Sequence, residues 1–175
     1  MQYFSTFNSS LGNILCLSDG ISLTGIYFQN HKPCLVFDKS WIRNQKLKIF
    51  DVTKTQFLSF LTAKSKEFEI PLTYVGTKFQ RSVWAALSEI PYGQTVSYTE
   101  IAEEIGNAHG VRAVASAISR NPISVVIPCH RVISKNGSKL RKVLLLLWKD
   151  AILQILQLSS ANRSLQKNIF IQFSI

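Results

Sequence analysis

The sequence predicts an α+β fold, and three observations predict it. The first 70 residues carry short apolar runs with period-two alternation, broken by turn-forming residues, which is strand patterning. From Gly76 onward the period changes to that of capped helices. At 175 residues, with 46% hydrophobic and 17% charged content, the chain is long enough for a substantial core and too apolar for disorder. The expected division is residues 1–72, a sheet with a helix; residues 73–158, a helical unit; and residues 159–175, an unassigned tail.

Taken in order, residues 3–7, 14–17 and 23–28 read as strands of an antiparallel meander, separated by turn signals at residues 8–13 and 18–20. Residues 51–66 read as a helix capped by Asp51, with Val52, Phe57, Leu58 and Leu61 on its apolar face. Residues 68–72 form a short extended piece broken by Pro71. Thr77 then caps a helix whose buried face is Phe79, Val83, Trp84 and Leu87, ending before Pro91-Tyr92-Gly93. Ser97 caps the next one, with Glu100 at the capping-box position and Ile101, Ala102 and Ile105 turned inward. Residues 106–110 stop it, and a third helix covers residues 111–120. Two short helices joined by a glycine-bearing turn make the helix-turn-helix pattern.

That third helix is thin. Gly110, Ala113, Ala115, Ser116 and Ala117 are small, and Arg112 and Arg120 are its long cationic side chains. Small residues serve either tight helix packing or close approach to a nucleic-acid groove, into which an arginine can reach. Residues 123–127 read as a buried strand that Pro128 ends, since proline offers no amide to a ladder. Cys129 is thereby expected at the edge of the core, with His130 and Arg131 as cations that favour its thiolate.

Net charge is +10, from 20 basic and 10 acidic residues, which suits a polyanionic partner. The excess is uneven, however: residues 139–175 hold six basic side chains against one acidic one. Charge alone therefore does not locate a binding face. Cys16, Cys34 and Cys129 are odd in number and unpaired in spacing, which argues for reduced thiols in a cytoplasmic protein. His31 near Cys34 is too little for a metal site, and no metal is expected. The N-terminal residues lack a basic-then-apolar signal pattern, and the longest apolar run, residues 143–147, is too short for a membrane span.

The second half resembles the methylated-DNA–protein-cysteine methyltransferases, the O6-alkylguanine repair proteins. The resemblance runs through Gly76-Thr77, Phe79-Gln80, Val83-Trp84, Ile90-Pro91-Tyr92-Gly93, Ser97-Tyr98, Gly106-Asn107, Val111-Arg112-Ala113-Val114, Asn121-Pro122 and Ile127-Pro128-Cys129-His130-Arg131-Val132. It implies a ribonuclease-H-like sheet in residues 1–72, no cofactor, and a monomer whose partner is double-stranded DNA bearing alkylated guanine. It further implies that Cys129 accepts the alkyl group once and irreversibly, that His130 draws the thiol proton through a water, and that Asn121 braces the turn. Because the base must leave the stack to be reached, Tyr98 is expected to crowd the 3′ phosphate and Arg112 to fill the vacated space. The helix from Gly110 through Ala113 is expected in the minor groove, and Arg131 is counted with the DNA-contacting residues.

After Ser138 the pattern departs from the family. A glycine- and tyrosine-bearing loop that walls the guanine pocket is replaced by Lys139-Leu140-Arg141-Lys142, and family register resumes near Leu147-Trp148-Lys149. The family's histidine-polarising glutamate falls at Leu156 or Gln157, or with a gap at Lys149 or Asp150. Two other readings therefore stand beside transfer: a protein that binds alkylated DNA without reacting, and an inactive remnant.

Overall fold

The computed structural model describes residues 1–28 and 37–134. Strands β1 (Tyr3–Ser9), β2 (Gly12–Ser18) and β3 (Leu23–Phe28) form the expected antiparallel meander, to which β4 (Ile42–Arg43) adds itself parallel to β1, giving the order β3-β2-β1-β4. The first hairpin closes over Ser10 and Leu11, where Gly12 takes a positive φ of 91° and Ser9 Oγ accepts the Leu11 amide at 3.1 Å. Asp19 closes the second: its carboxylate accepts from the Ile21 and Ser22 amides at 2.9 and 2.7 Å. Such side-chain-to-backbone bonds are why aspartate and serine mark turns.

Helix α1 (Lys48–Leu61) starts and ends earlier than residues 51–66. Its N-cap is Leu47, with no side-chain cap, and Asp51 sits in the first turn instead, where its charge faces the positive end of the helix dipole. An apolar cap carries no sequence signal, which explains the misplacement. The helix stops where Ala63 turns left-handed, φ 55°, and the Lys64 amide donates to Ser59 O at 2.9 Å. Its buried residues Ile49, Phe50, Thr53 and Phe57 face the sheet, and the Phe57 ring meets that of Phe7 edge-on at 5.8 Å.

The capping predictions for the next two helices hold. In α2 (Lys78–Ser88) Thr77 and Gln80 form a reciprocal capping box, as Ser97 and Glu100 do for α3 (Tyr98–Glu104). Helix α3 ends in a Schellman motif: Gly106, φ 71°, donates to Glu103 O at 3.0 Å and Asn107 to Ala102 O at 2.8 Å. Helix α4 is Val111–Ser119. Its position is fixed by Trp84, 2% exposed, whose indole donates to Ala117 O at 2.9 Å.

The expected strand over residues 123–127 is absent. Ile123 pairs with Ile26 and Ser124 with Ile127, but between them the chain turns, with Val125 at φ 74°. A β-branched residue rarely adopts this conformation, so the turn is imposed from outside. Asn121, 8% exposed, imposes it: its Oδ1 accepts the Ile123 amide at 2.9 Å and its Nδ2 donates to Ile127 O at 3.0 Å. An apolar run with strong strand propensity is folded back by this side-chain amide together with the bond from the Ile127 amide to Ile123 O at 3.0 Å.

The outer edge of β3 receives two later pieces of chain. Leu23 donates to Pro71 O at 2.8 Å and accepts from Thr73 at 3.0 Å, and Ile26 donates to Pro122 O at 2.8 Å. One buried apolar cluster runs from Phe7 to Val132, across the expected boundary between residues 72 and 73. The sheet is thus tied directly to the segment that leads into Cys129. No helix among the described residues is long and apolar enough to cross a membrane. His31, Cys34, the divergent segment from Lys139, and the places expected for the carboxylate lie outside the described residues.

Candidate active site and nucleic-acid interface

The stapled turn ends in Pro128, and Cys129 opens a single 3-10 turn, Cys129–Arg131, rather than an extended chain end. Its amide donates to Ile127 O at 2.8 Å, and the Arg131 amide to Pro128 O at 2.9 Å. The chain then enters β6 (Val132–Ile133), which pairs in parallel with β5 (Val96–Ser97). Neither two-residue strand has a sequence signature, yet together they do essential work. Pairing Val96 with Val132 brings Tyr98, at the start of α3, to within electrostatic reach of Cys129. Asn121, Cys129, His130 and Tyr98 are therefore brought together from three parts of the chain.

Protonation states differ from the expectation. Burial raises the Cys129 thiol above its ordinary value, although the Asn121 amide and the local backbone amides pull the other way. Burial, assisted by the neighbouring Arg131 charge, pushes His130 down to about 4. His130 is then an uncharged imidazole at neutral pH, able to accept a proton, and not a cation holding a thiolate. The expected pair of activating cations is corrected to a resting thiol beside a neutral base. The phenol of Tyr98 is raised by burial and then by Cys129, so it stays a hydrogen-bond donor. The other described cysteine, Cys16, is a core thiol that burial pushes up to about 12.

Arg131 departs most from its expected place. Its Nη1 donates to Ile90 O at 2.7 Å, and its guanidinium lies 5.4 Å from the centre of the Tyr92 ring, within cation–π range. Lys66 approaches the same ring at 5.5 Å. Arg131 is partly buried and engaged within the chain. Ile90 and Tyr92, its partners, were legible only as members of a Pro-Tyr-Gly turn.

Of the other residues expected to face DNA, Arg112 and Ala113 lie on α4 and Gly110 is its N-cap. Val114, Ala117 and Ile118 are buried, while Arg112, Ala113, Ser116, Ser119 and Arg120 are exposed along one face. Three of those five are small, so the backbone can approach a surface closely, and an arginine stands at each end. Gly110 precedes the helix, and a Cβ there would require the Asn107 side chain to move aside.

A helix-turn-helix with a thin exposed second helix, leading within one stapled turn to a cysteine, a neutral histidine and a tyrosine, defines a DNA-binding protein with a thiol acceptor. Residues 78–154 match the family model of the 6-O-methylguanine DNA methyltransferase DNA-binding domain. A methylated-DNA–protein-cysteine methyltransferase of Methanosarcina acetivorans is 42% identical over 136 residues, which cover 78% of this chain and 86% of that protein. The inducible one of Bacillus subtilis is 52% identical over 95 residues, covering 54% of this chain and 51% of that protein. Among solved structures, that of Mycobacterium tuberculosis OGT in complex with DNA superposes with a TM-score of 0.73 at 33% identity, covering 85% of this chain and 93% of that one. The chain belongs to the methylated-DNA–protein-cysteine methyltransferase family.

Proposed function

We propose that this protein repairs DNA by direct reversal, taking the alkyl group from O6 of guanine in double-stranded DNA onto Cys129. The observation that carries the reading is the placement of a partly accessible thiol between Asn121, His130 and Tyr98, one turn of chain beyond the exposed face of α4. A base inside the stack is out of reach of such a thiol, so the target nucleotide must turn out of the duplex. Arg112 takes the vacated space, Gly110 and Ala113 let the helix sit in the minor groove, and Tyr98 meets the backbone of the turned-out nucleotide.

In the reaction the Cys129 proton passes to His130, and the sulfur attacks the alkyl carbon. An S–C bond forms as the C–O6 bond breaks. The electron pair goes to O6, and the guanine returns to its normal form on taking up a proton. The thioether has no route back to a thiol, so each molecule reacts once and needs no cofactor. A dry pocket favours the step, because a thiolate freed of water is a stronger nucleophile. The protein acts as a monomer in the reducing environment of the cytoplasm, where Cys129 stays free.

Incubation with a duplex carrying labelled O6-methylguanine tests this. Label is expected to move to wild-type protein and not to Cys129→Ala. Retention of label on the DNA, with binding intact, would instead select a protein that recognises the lesion without reacting.

A further inference from the structure

We propose that Arg131 is a positioning residue for the transfer, locking the Cys129–Arg131 turn onto the Ile90–Tyr92 loop and so fixing where Cys129 and His130 stand. This rests on the transfer reading above and assigns to Arg131 a task other than contact with DNA.

The turn that carries the nucleophile is short and weakly held by its own backbone. Amide bonds to Ile127 O, to Pro128 O and, from Val132, to Cys129 O close the chain, and no side chain caps its start. Asn121 secures the approach to it, residues 121–127, from one side. On the exit side, beside the pairing of Val132 with Val96, the side-chain tie is the 2.7 Å bond from Arg131 Nη1 to Ile90 O, spanning 41 residues. The Tyr92 ring lies 5.4 Å from the guanidinium and adds a cation–π contact to that bond. Ile90 itself is 5% exposed and anchored in the core just after α2, so the tie reaches a rigid support. A charge-assisted bond of this kind is stronger than a neutral one and is set by geometry.

The same guanidinium is the one charged group acting on His130 among the described residues. Cys129 acts on Tyr98, whereas Glu67 and Tyr92 act on Arg131, and Lys66 faces Tyr92. Removing Arg131 therefore loosens the turn and withdraws a positive charge from beside the imidazole. A purely structural anchor would do only the first.

The test compares Arg131→Met, which keeps the length of the side chain without its charge, with Arg131→Lys, which keeps charge and a donor. Single-turnover transfer from O6-methylguanine duplex is followed at several protein concentrations, separating the rate at saturation from duplex affinity. Arg131→Met is expected to lower the saturated rate about tenfold or more with affinity unchanged, and Arg131→Lys to recover part of it. Loss of affinity at an unchanged saturated rate would return Arg131 to the DNA-contacting set and overturn the proposal.

Titration of the His130 ring by NMR gives an arm independent of activity. In Arg131→Met its midpoint is expected to rise by roughly half a unit or more, and in Arg131→Lys to stay near wild type. Unchanged His130 and Cys129 resonances in folded Arg131→Met would overturn the proposal. If wild-type protein transfers no label, the transfer reading fails while the resonances still decide the placement of the turn.

Discussion

Asn121 holds the Ile123 amide by itself and shares the Ile127 carbonyl with the Cys129 amide, so its removal leaves the Ile123 amide without a partner in a buried turn. Asn121→Ala is expected to cost about 1–3 kcal/mol in urea unfolding, chiefly from the one unmet amide. Val125, at φ 74°, stores strain in the same turn, whereas Val126 does not. Both pack against the core from partly buried positions. Val125→Gly should therefore destabilise less than Val126→Gly, by roughly the 1–3 kcal/mol that such strain costs, and equal losses would show the turn to be relaxed. His130 adds a pH dependence whose sign follows from its depressed value. Its folded value of about 4 lies below the ordinary 6.5, so between them the unfolded chain binds more protons. Its contribution is complete above about 6.5 and is lost as pH falls toward 4. Stability measured from pH 7.5 to 4.5 should drop more steeply for wild type than for His130→Gln.

Among the elements, α4 separates binding from folding most cleanly, because its outward face makes no contribution to the core. Arg112→Ala is expected to weaken binding to damaged duplex by about 1–3 kcal/mol, measured by band shift, with the unfolding midpoint unchanged. Ala113→Leu tests the thinness of the helix: it should lose affinity without losing stability, since Ala113 is exposed. Legibility in the sequence follows the same division. Helices α2 and α3 were predictable because Thr77-Gln80 and Ser97-Glu100 announce their starts with their own side chains. Helix α1 began three residues early because Leu47 caps it without a side-chain bond. Residues 123–127 have every mark of a strand, and Asn121 together with the bond from the Ile127 amide to Ile123 O folds them into a turn. The pairing of β5 with β6, which sets Tyr98 beside Cys129, is a contact between two-residue strands far apart in sequence.

At the level of the whole molecule, the sheet of residues 3–43 and the helical part share a core, and β3 is the seam. Ile26 is 1% exposed, bonds to Pro122 O, and bridges to Ile123, two residues beyond Asn121. Ile26→Ala is expected to cost about 2–5 kcal/mol in unfolding, as a truncated core isoleucine does. Because the cavity would lie behind the stapled turn, the variant should also transfer more slowly than its remaining folded fraction explains. The sequence shows the candidate thiol Cys129, its neighbours by resemblance and the thin helix. It does not show their charges, because those depend on burial: His130 and Arg131 look like two cations in a row, while in the fold one is neutral and the other is turned toward Ile90 and Tyr92.

The central claim is that Cys129 is consumed by the alkyl group it removes. Mass analysis of protein digested after exposure to excess O6-methylguanine duplex tests it most directly. One methyl group per molecule, confined to the peptide that holds Cys129, is the predicted result. Unmodified Cys129 on folded protein bound to the damaged duplex would contradict it.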